Sequence, residues 1–193
     1  MKNMKWILGF LLFFVIVNLN AQDARCILLF KDGTSIDGFG DIKRNKIRFR
    51  IDLEEKADTW DHTLVKGVII AEIEFEYVSL KTKSKKPKLL KVMRDGEVRL
   101  YANISLKPTV KYVVNVGTNN PFPRVYSSGE REIAYYLKKK TEKKASRFYA
   151  NNKKIILKYF QNCDVISDIL ESKEYKRLSP VQIYDLYDVY CNE

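Results

Sequence analysis

The chain has 193 residues, 46% of them hydrophobic, and its 35 lysines and arginines outnumber 24 aspartates and glutamates for a net charge of +11. That is enough chain for one domain with a real core or two small ones, and the basic balance makes anions the natural partners. A single histidine excludes a multi-histidine metal site, and three cysteines with no Cys-x-x-Cys pair exclude the usual thiol-exchange motif.

The first 21 residues read as a secretory signal. Lys2 and Lys5 give a positive start, residues 6–17 are almost wholly apolar, and Leu19-Asn20-Ala21 supplies a small residue for cleavage before Gln22. The apolar run falls short of the roughly 20 residues that span a bilayer, so no stable membrane span is expected after cleavage. Cys26 follows Asp23-Ala24-Arg25, whose charges do not fit a lipidation site. Removing 21 residues from 193 leaves 172, and loss of Lys2 and Lys5 lowers the charge from +11 to +9. Export places the chain where disulfides persist. At most one internal pair can form. Cys163 with Cys191 is favoured because both end helical runs in the same C-terminal segment; three buried thiols are the alternative.

In chain order, residues 26–40 (CILLFKDGTSIDGFG) read as a hairpin about Asp32-Gly33, with Ile36 opposite Leu29 for a two-residue turn. Gly38 and Gly40 suggest a bulge or an edge. Residues 46–52 alternate Ile47, Phe49 and Ile51 with arginines, as a half-buried strand does. Residues 53–63 are polar and irregular. Two strands follow at 65–70 and 73–80, the second with Ile73, Phe75 and Tyr77 alternating against glutamates. A basic loop, KTKSKKPK, leads to the clearest hairpin, LLKVMRDGEVRLYANI. A type I′ turn at Asp95-Gly96 would set Met93 opposite Val98 and pair Arg94 with Glu97. Residues 109–116 make one more strand and GTNNPFP a loop. Seven to nine strands with short links predict an antiparallel meander, and spacing alone leaves barrel closure open.

The period changes at Ser127. Ser127 with Glu130 has the form of a capping box, and Ile133, Tyr136 and Leu137 recur at helical spacing. Residues 148–160 form a second helical run, and Ile166, Ile169 and Leu170 mark a shorter one. Ser179-Pro180-Val181-Gln182 opens the last, with Ile183, Leu186, Tyr187 and Tyr190 inward. The expected fold is therefore α+β: a signal at 1–21, an antiparallel β domain at 22–125, and a basic region of three to four helices at 126–193.

Charge is the strongest functional candidate. Residues 138–158 carry nine basic side chains (Lys138, Lys139, Lys140, Lys143, Lys144, Arg147, Lys153, Lys154 and Lys158) and one acid, Glu142. The loop at 81–88 adds five lysines, among them Lys83, Lys85 and Lys86. Such clusters draw anions by steering and counterion release, although charge runs usually only solvate a surface. For an exported chain the partners are anionic lipid head groups, acidic glycans or an envelope protein; no nucleic-acid motif is present. A second reading is a small-molecule or glycan binder using Trp60, Tyr77 and Tyr101 on the sheet. A third is a hydrolase using Asp61 and His62, but adjacent residues in an extended segment point to opposite faces. No nucleophile pattern, phosphate loop, metal set or cofactor motif is found, so no enzyme is expected.

Together, Asn20-Ala21-Gln22, the KDGTSIDGFG and LLKVMRDGEVRLYANI hairpins, and the tail YYLKKK…KKIILKYFQNC…YDLYDVYC resemble small exported envelope proteins of Bacteroidota type. The resemblance covers most of the mature chain. It implies a periplasmic or outer-membrane location and a Cys163–Cys191 bridge, and it brings no catalytic residues.

Overall fold

The computed structural model describes residues 23–81, 86–113 and 124–192, with side chains described outside 106–130. The expected signal and its cleavage point, Lys83, Lys85 and the loop at 117–123 lie outside the described residues. The fold is α+β with an antiparallel sheet, and it divides between Glu72 and Ile73 into two compact units.

The first unit holds β1 (Ala24–Phe30), β2 (Ser35–Lys43), β3 (Lys46–Arg50), β4 (Asp58–Trp60) and β5 (Val65–Ile70), ordered β5-β1-β2-β3-β4. Strand β4 lies in the stretch expected to be irregular and pairs Trp60 with Ile47. The first hairpin turns through three residues, not two. The Phe30 amide donates to Thr34 O at 2.9 Å, and Gly33 takes a φ of +92° that suits glycine. Leu28, not Leu29, therefore stands opposite Ile36. A one-residue shift turns every β2 side chain to the other face. It brings Gly38 and Gly40 to the side of Leu28, Ile47 and Phe49, where both pairings of β2 run without a bulge. A Cβ on Gly38 would meet the Phe49 ring at 2.6 Å, and one on Gly40 would meet the Arg48 carbonyl oxygen at 2.2 Å. The glycines serve close approach of β3, not an edge.

The second unit holds β6 (Ile73–Val78), β7 (Lys88–Arg94), β8 (Val98–Val113), β9 (Arg124–Lys139) and β10 (Ser146–Phe148), ordered β6-β7-β8-β9-β10. Then come α1 (Lys153–Phe160), α2 (Asp164–Ser172), a 3-10 turn (Glu174–Arg177) and α3 (Pro180–Cys191). Among the described residues, ten strands exceed the seven to nine expected, and neither ladder closes into a barrel. The nearest approach to closure is one parallel bridge, Leu80 to Ala145, in which the Ala145 amide donates to Ser79 O at 2.8 Å and the Lys81 amide to Ala145 O at 2.9 Å.

The helix expected from Ser127 is instead β9, in register with β8 from Val98↔Lys139 to Val113↔Arg124. The physical reason is that both faces of its inner end are buried. Leu137 and Tyr135 meet the helices, while Ala134 and Tyr136 join Leu80, Leu90 and Tyr101 on the other side. An apolar run filled on both faces has no period of two, and Ile133, Tyr136 and Leu137 then mimic a helical stripe. Of the strand expected at 109–116, residues 109–113 are the outer part of β8 and 114–116 lie outside the described residues; Phe148 belongs to β10. Helix α1 begins at Lys153, capped by the Asn152 side chain. Helix α3 begins as read: Gln182 N–H donates to Ser179 Oγ at 3.2 Å, and Ser179 N–H to Gln182 Oε1 at 2.8 Å. Its inward face is Ile183, Tyr184 and Tyr187, with Tyr190 62% exposed. Cys163 and Cys191 form a disulfide that ties the start of α2 to the end of α3.

Candidate functional site

The basic residues at 138–158 do not share a helix. Lys138 and Lys139 end β9, Lys140, Lys143 and Lys144 lie on the turn to β10, Arg147 sits on β10, and Lys153, Lys154 and Lys158 lie on α1. Glu142, the one acid of the run, holds three of these elements together. Its carboxylate accepts from Lys158 Nζ, from Lys81 Nζ at 3.3 Å, from the Tyr159 hydroxyl at 2.6 Å and from the Lys139 amide at 3.4 Å. With that proton committed to Glu142, the Tyr159 oxygen accepts from Ser146 Oγ at 2.9 Å, and the Lys158 ammonium lies 4.3 Å from its ring centroid. Burial works to raise the Glu142 pKa, but Lys158, Tyr159 and the Lys139 amide overcome it and hold the carboxyl at about 2. Burial opposes the charge on Lys158, and Glu142 more than offsets it.

Lys81 begins the second basic segment, and its backbone is the one bridged to Ala145, beside Lys143 and Lys144. Lys81, the first residue of one basic segment, therefore meets the other segment in the second unit. Among the described residues, no carboxylate within 4.0 Å pairs with Lys140, Lys143, Lys144, Lys153, Lys154 or the exposed Lys86. Lys138 and Lys139 are half-buried. Arg147 faces a different neighbourhood: its guanidinium carbon lies 5.6 Å from the Tyr136 ring centroid and 5.0 Å from that of Tyr149.

Sequence reasoning missed a buried network at the central hairpin. The expected pairing of Met93 with Val98 is replaced by Lys91↔Ala102 and Val92↔Tyr101, with a bulge before Arg94↔Leu100. Arg94 is paired with Asp185 on α3 at 3.0 Å rather than with Glu97. Arg99 grips Asp95 with two hydrogen bonds, 2.6 and 3.0 Å, and reaches Glu76 Oε2 at 2.8 Å. The Tyr101 hydroxyl donates to the same oxygen at 3.0 Å. Burial, then the Glu76 charge, pushes the Tyr101 phenol well above its ordinary value. Glu76 is 8% exposed while Ile73 is 37% exposed, the reverse of the amphipathic reading of β6. The signal available was Glu76 two residues before Val78, both inward on one strand face.

The other candidates are rearranged too. Tyr101 is fully buried and presents no ring face for stacking, and Trp60 packs edge-on against Phe30 with centroids 5.6 Å apart. Asp61 accepts from the amide and hydroxyl of Thr63, at 2.9 and 2.5 Å, and these bonds hold its pKa down. Asp32 and Thr34 make the same arrangement in the first hairpin. Cys26 is a buried thiol, pushed up to about 11 by burial and then by Asp23. Among the described residues, no cluster of three His, Cys, Asp or Glu could hold a metal ion, and no helix is long and apolar enough to cross a membrane. Compared with protein-family models, with curated proteins and with solved structures, the chain matches none of them.

Proposed function

We propose that the protein is an exported, non-enzymatic envelope protein that engages an anionic surface through the lysines around the β9–β10 turn. The supporting observation is the Lys81–Glu142–Lys158 knot, which joins Lys81 to the 138–158 segment while leaving Lys140, Lys143 and Lys144 without carboxylate partners among the described residues. Three uncompensated ammonium groups within five residues attract an anionic surface at about 1 kcal/mol per charge. The signal-like start at residues 1–21 supports the envelope as the place of action.

The test is sedimentation of the mature protein with vesicles containing phosphatidylglycerol, against pure phosphatidylcholine, across a salt series. Retention on the anionic vesicles alone, released by moderate salt and reduced severalfold by Lys143→Gln with Lys144→Gln, is the expected result. Equal retention on both vesicles, or none on either, overturns the reading.

A further inference from the structure

A cleft of about 600 Å³ lies on the first unit, lined among others by Arg25, Ile27, Asp37, Phe39, Ile51 and Ile69. The register puts five of these on one face of the sheet. Ile27 stands opposite Asp37 of β2 and Ile69 of β5, and Arg25, two residues away, stands opposite Phe39. Residues two apart on a strand share a face. Cys26 and Leu28 turn the other way, into the core, at 5% and 0% exposure, whereas Ile27, Phe39 and Ile69 are only half-buried. Strand β1 is therefore apolar on both faces, as strands between two layers are, although the core of this unit lies on one face only.

The charges on this outer face are unevenly matched. Arg50, opposite Phe39, is held by Asp23 at 2.9 Å, and Arg48 by Asp41 at 3.4 Å. Arg25 and Asp37 are exposed, and among the described residues neither makes an ion pair within 4.0 Å. They stand at opposite corners of a cell whose other corners are Ile27 and Phe39, with sides of about 7 Å along the strands and about 5 Å between them. That cell is self-complementary. A two-fold axis lying in the face along the Ile27–Phe39 diagonal brings Arg25 of each copy over Asp37 of the other, and sets Ile27 and Phe39 on their own counterparts. The strands of the two copies then cross at about 70°, close to the orthogonal class of sheet packing.

We infer that the partner on this face is a second copy of the chain, in an isologous dimer closed by two Arg25–Asp37 pairs around a centre of Ile27 and Phe39. Burial of the half-exposed apolar side chains drives the association, with Ile69 on one side and Ile51, 63% exposed, on the other to extend the contact. The charges set its register, because a shifted or reversed pairing brings like charges together. The interface belongs to the first unit and uses none of the lysines proposed to meet an anionic surface, so each reading stands without the other.

Sedimentation velocity of the mature protein across a dilution series tests the inference. A reversible monomer–dimer equilibrium is expected, weakened roughly tenfold or more by Ile27→Asp, by Arg25→Asp and by Asp37→Arg. Arg25 and Asp37 are exposed, so their variants keep the fold, which circular dichroism checks. Mixing is the decisive arm. The Arg25→Asp protein and the Asp37→Arg protein are each monomeric alone, since like charges then meet across the axis, and combined they should form a one-to-one dimer. The double variant, Arg25→Asp with Asp37→Arg, should dimerise as the wild type does. A monomer at every concentration, a dimer unchanged by the single reversals, or no dimer in the mixture overturns the assignment. A folded double variant that stays monomeric overturns it too.

Discussion

At the scale of single residues, the first unit turns on Gly40. The oxygen its Cβ would meet at 2.2 Å belongs to backbone, on the strand that carries Phe49 into the core, so there is no side-chain tip to swing aside. Gly40→Ala must push β2 and β3 apart, and we expect at least about 2 kcal/mol of lost stability in chemical denaturation. A loss below about 0.5 kcal/mol would mean that the two strands separate freely there. Cys26 lies beside the same glycine, its sulfur 3.1 Å from where the Cβ would be. With its pKa pushed to about 11, almost none of it is thiolate at pH 8. Iodoacetamide without reductant should leave the folded, oxidised protein unmodified and add one group after denaturation, read by intact mass. Three additions would disprove the Cys163–Cys191 pairing.

At the scale of elements, Glu142 is the fastening of the β9–β10 turn to α1. Its folded pKa of about 2 lies below the ordinary 4.5, so its contribution is complete above about pH 5 and is lost as the pH falls through 4.5 toward 2. Thermal unfolding should therefore drop more steeply between pH 5 and 3 in the wild type than in Glu142→Gln; parallel curves would remove the fastening role. Across the neighbouring helices the disulfide closes a separation of 28 residues, which restricts the unfolded chain by roughly 3–4 kcal/mol. Element type was legible where the signals were local. Ser179 and Gln182 cap α3 in sequence and in structure because a capping box needs nothing beyond one turn of chain. Ser127 and Glu130 have the same pattern, yet their backbone pairs with β8, since sixteen registered positions outweigh one local cap. The Asp95-Gly96 hairpin was legible as a hairpin but not in its register, because Arg99 draws Asp95 into the Glu76 network.

At the scale of the molecule, the α+β class and the Cys163–Cys191 pair could be read in advance, since each rests on pattern along the chain. The meeting of Lys81 with residues 138–158 could not, because it depends on the bridge from Leu80 to Ala145 across the sheet. One feature of the second unit bears on the company the chain keeps. Strand β7 stops pairing with β8 at Ala102, and β10 stops pairing with β9 at Tyr135. Beyond them, among the described residues, β8 and β9 run on to Val113 and Arg124 with only each other, a ribbon about 35 Å long. Each outer margin is an open seam, spaced to accept an extended segment of any neighbouring polypeptide. Pro108 and Gly129, which interior strands avoid, face each other halfway along it, and Pro108 has no N–H to offer. The β8 margin is interrupted at its midpoint, which leaves two short stretches there too brief to template a foreign strand well.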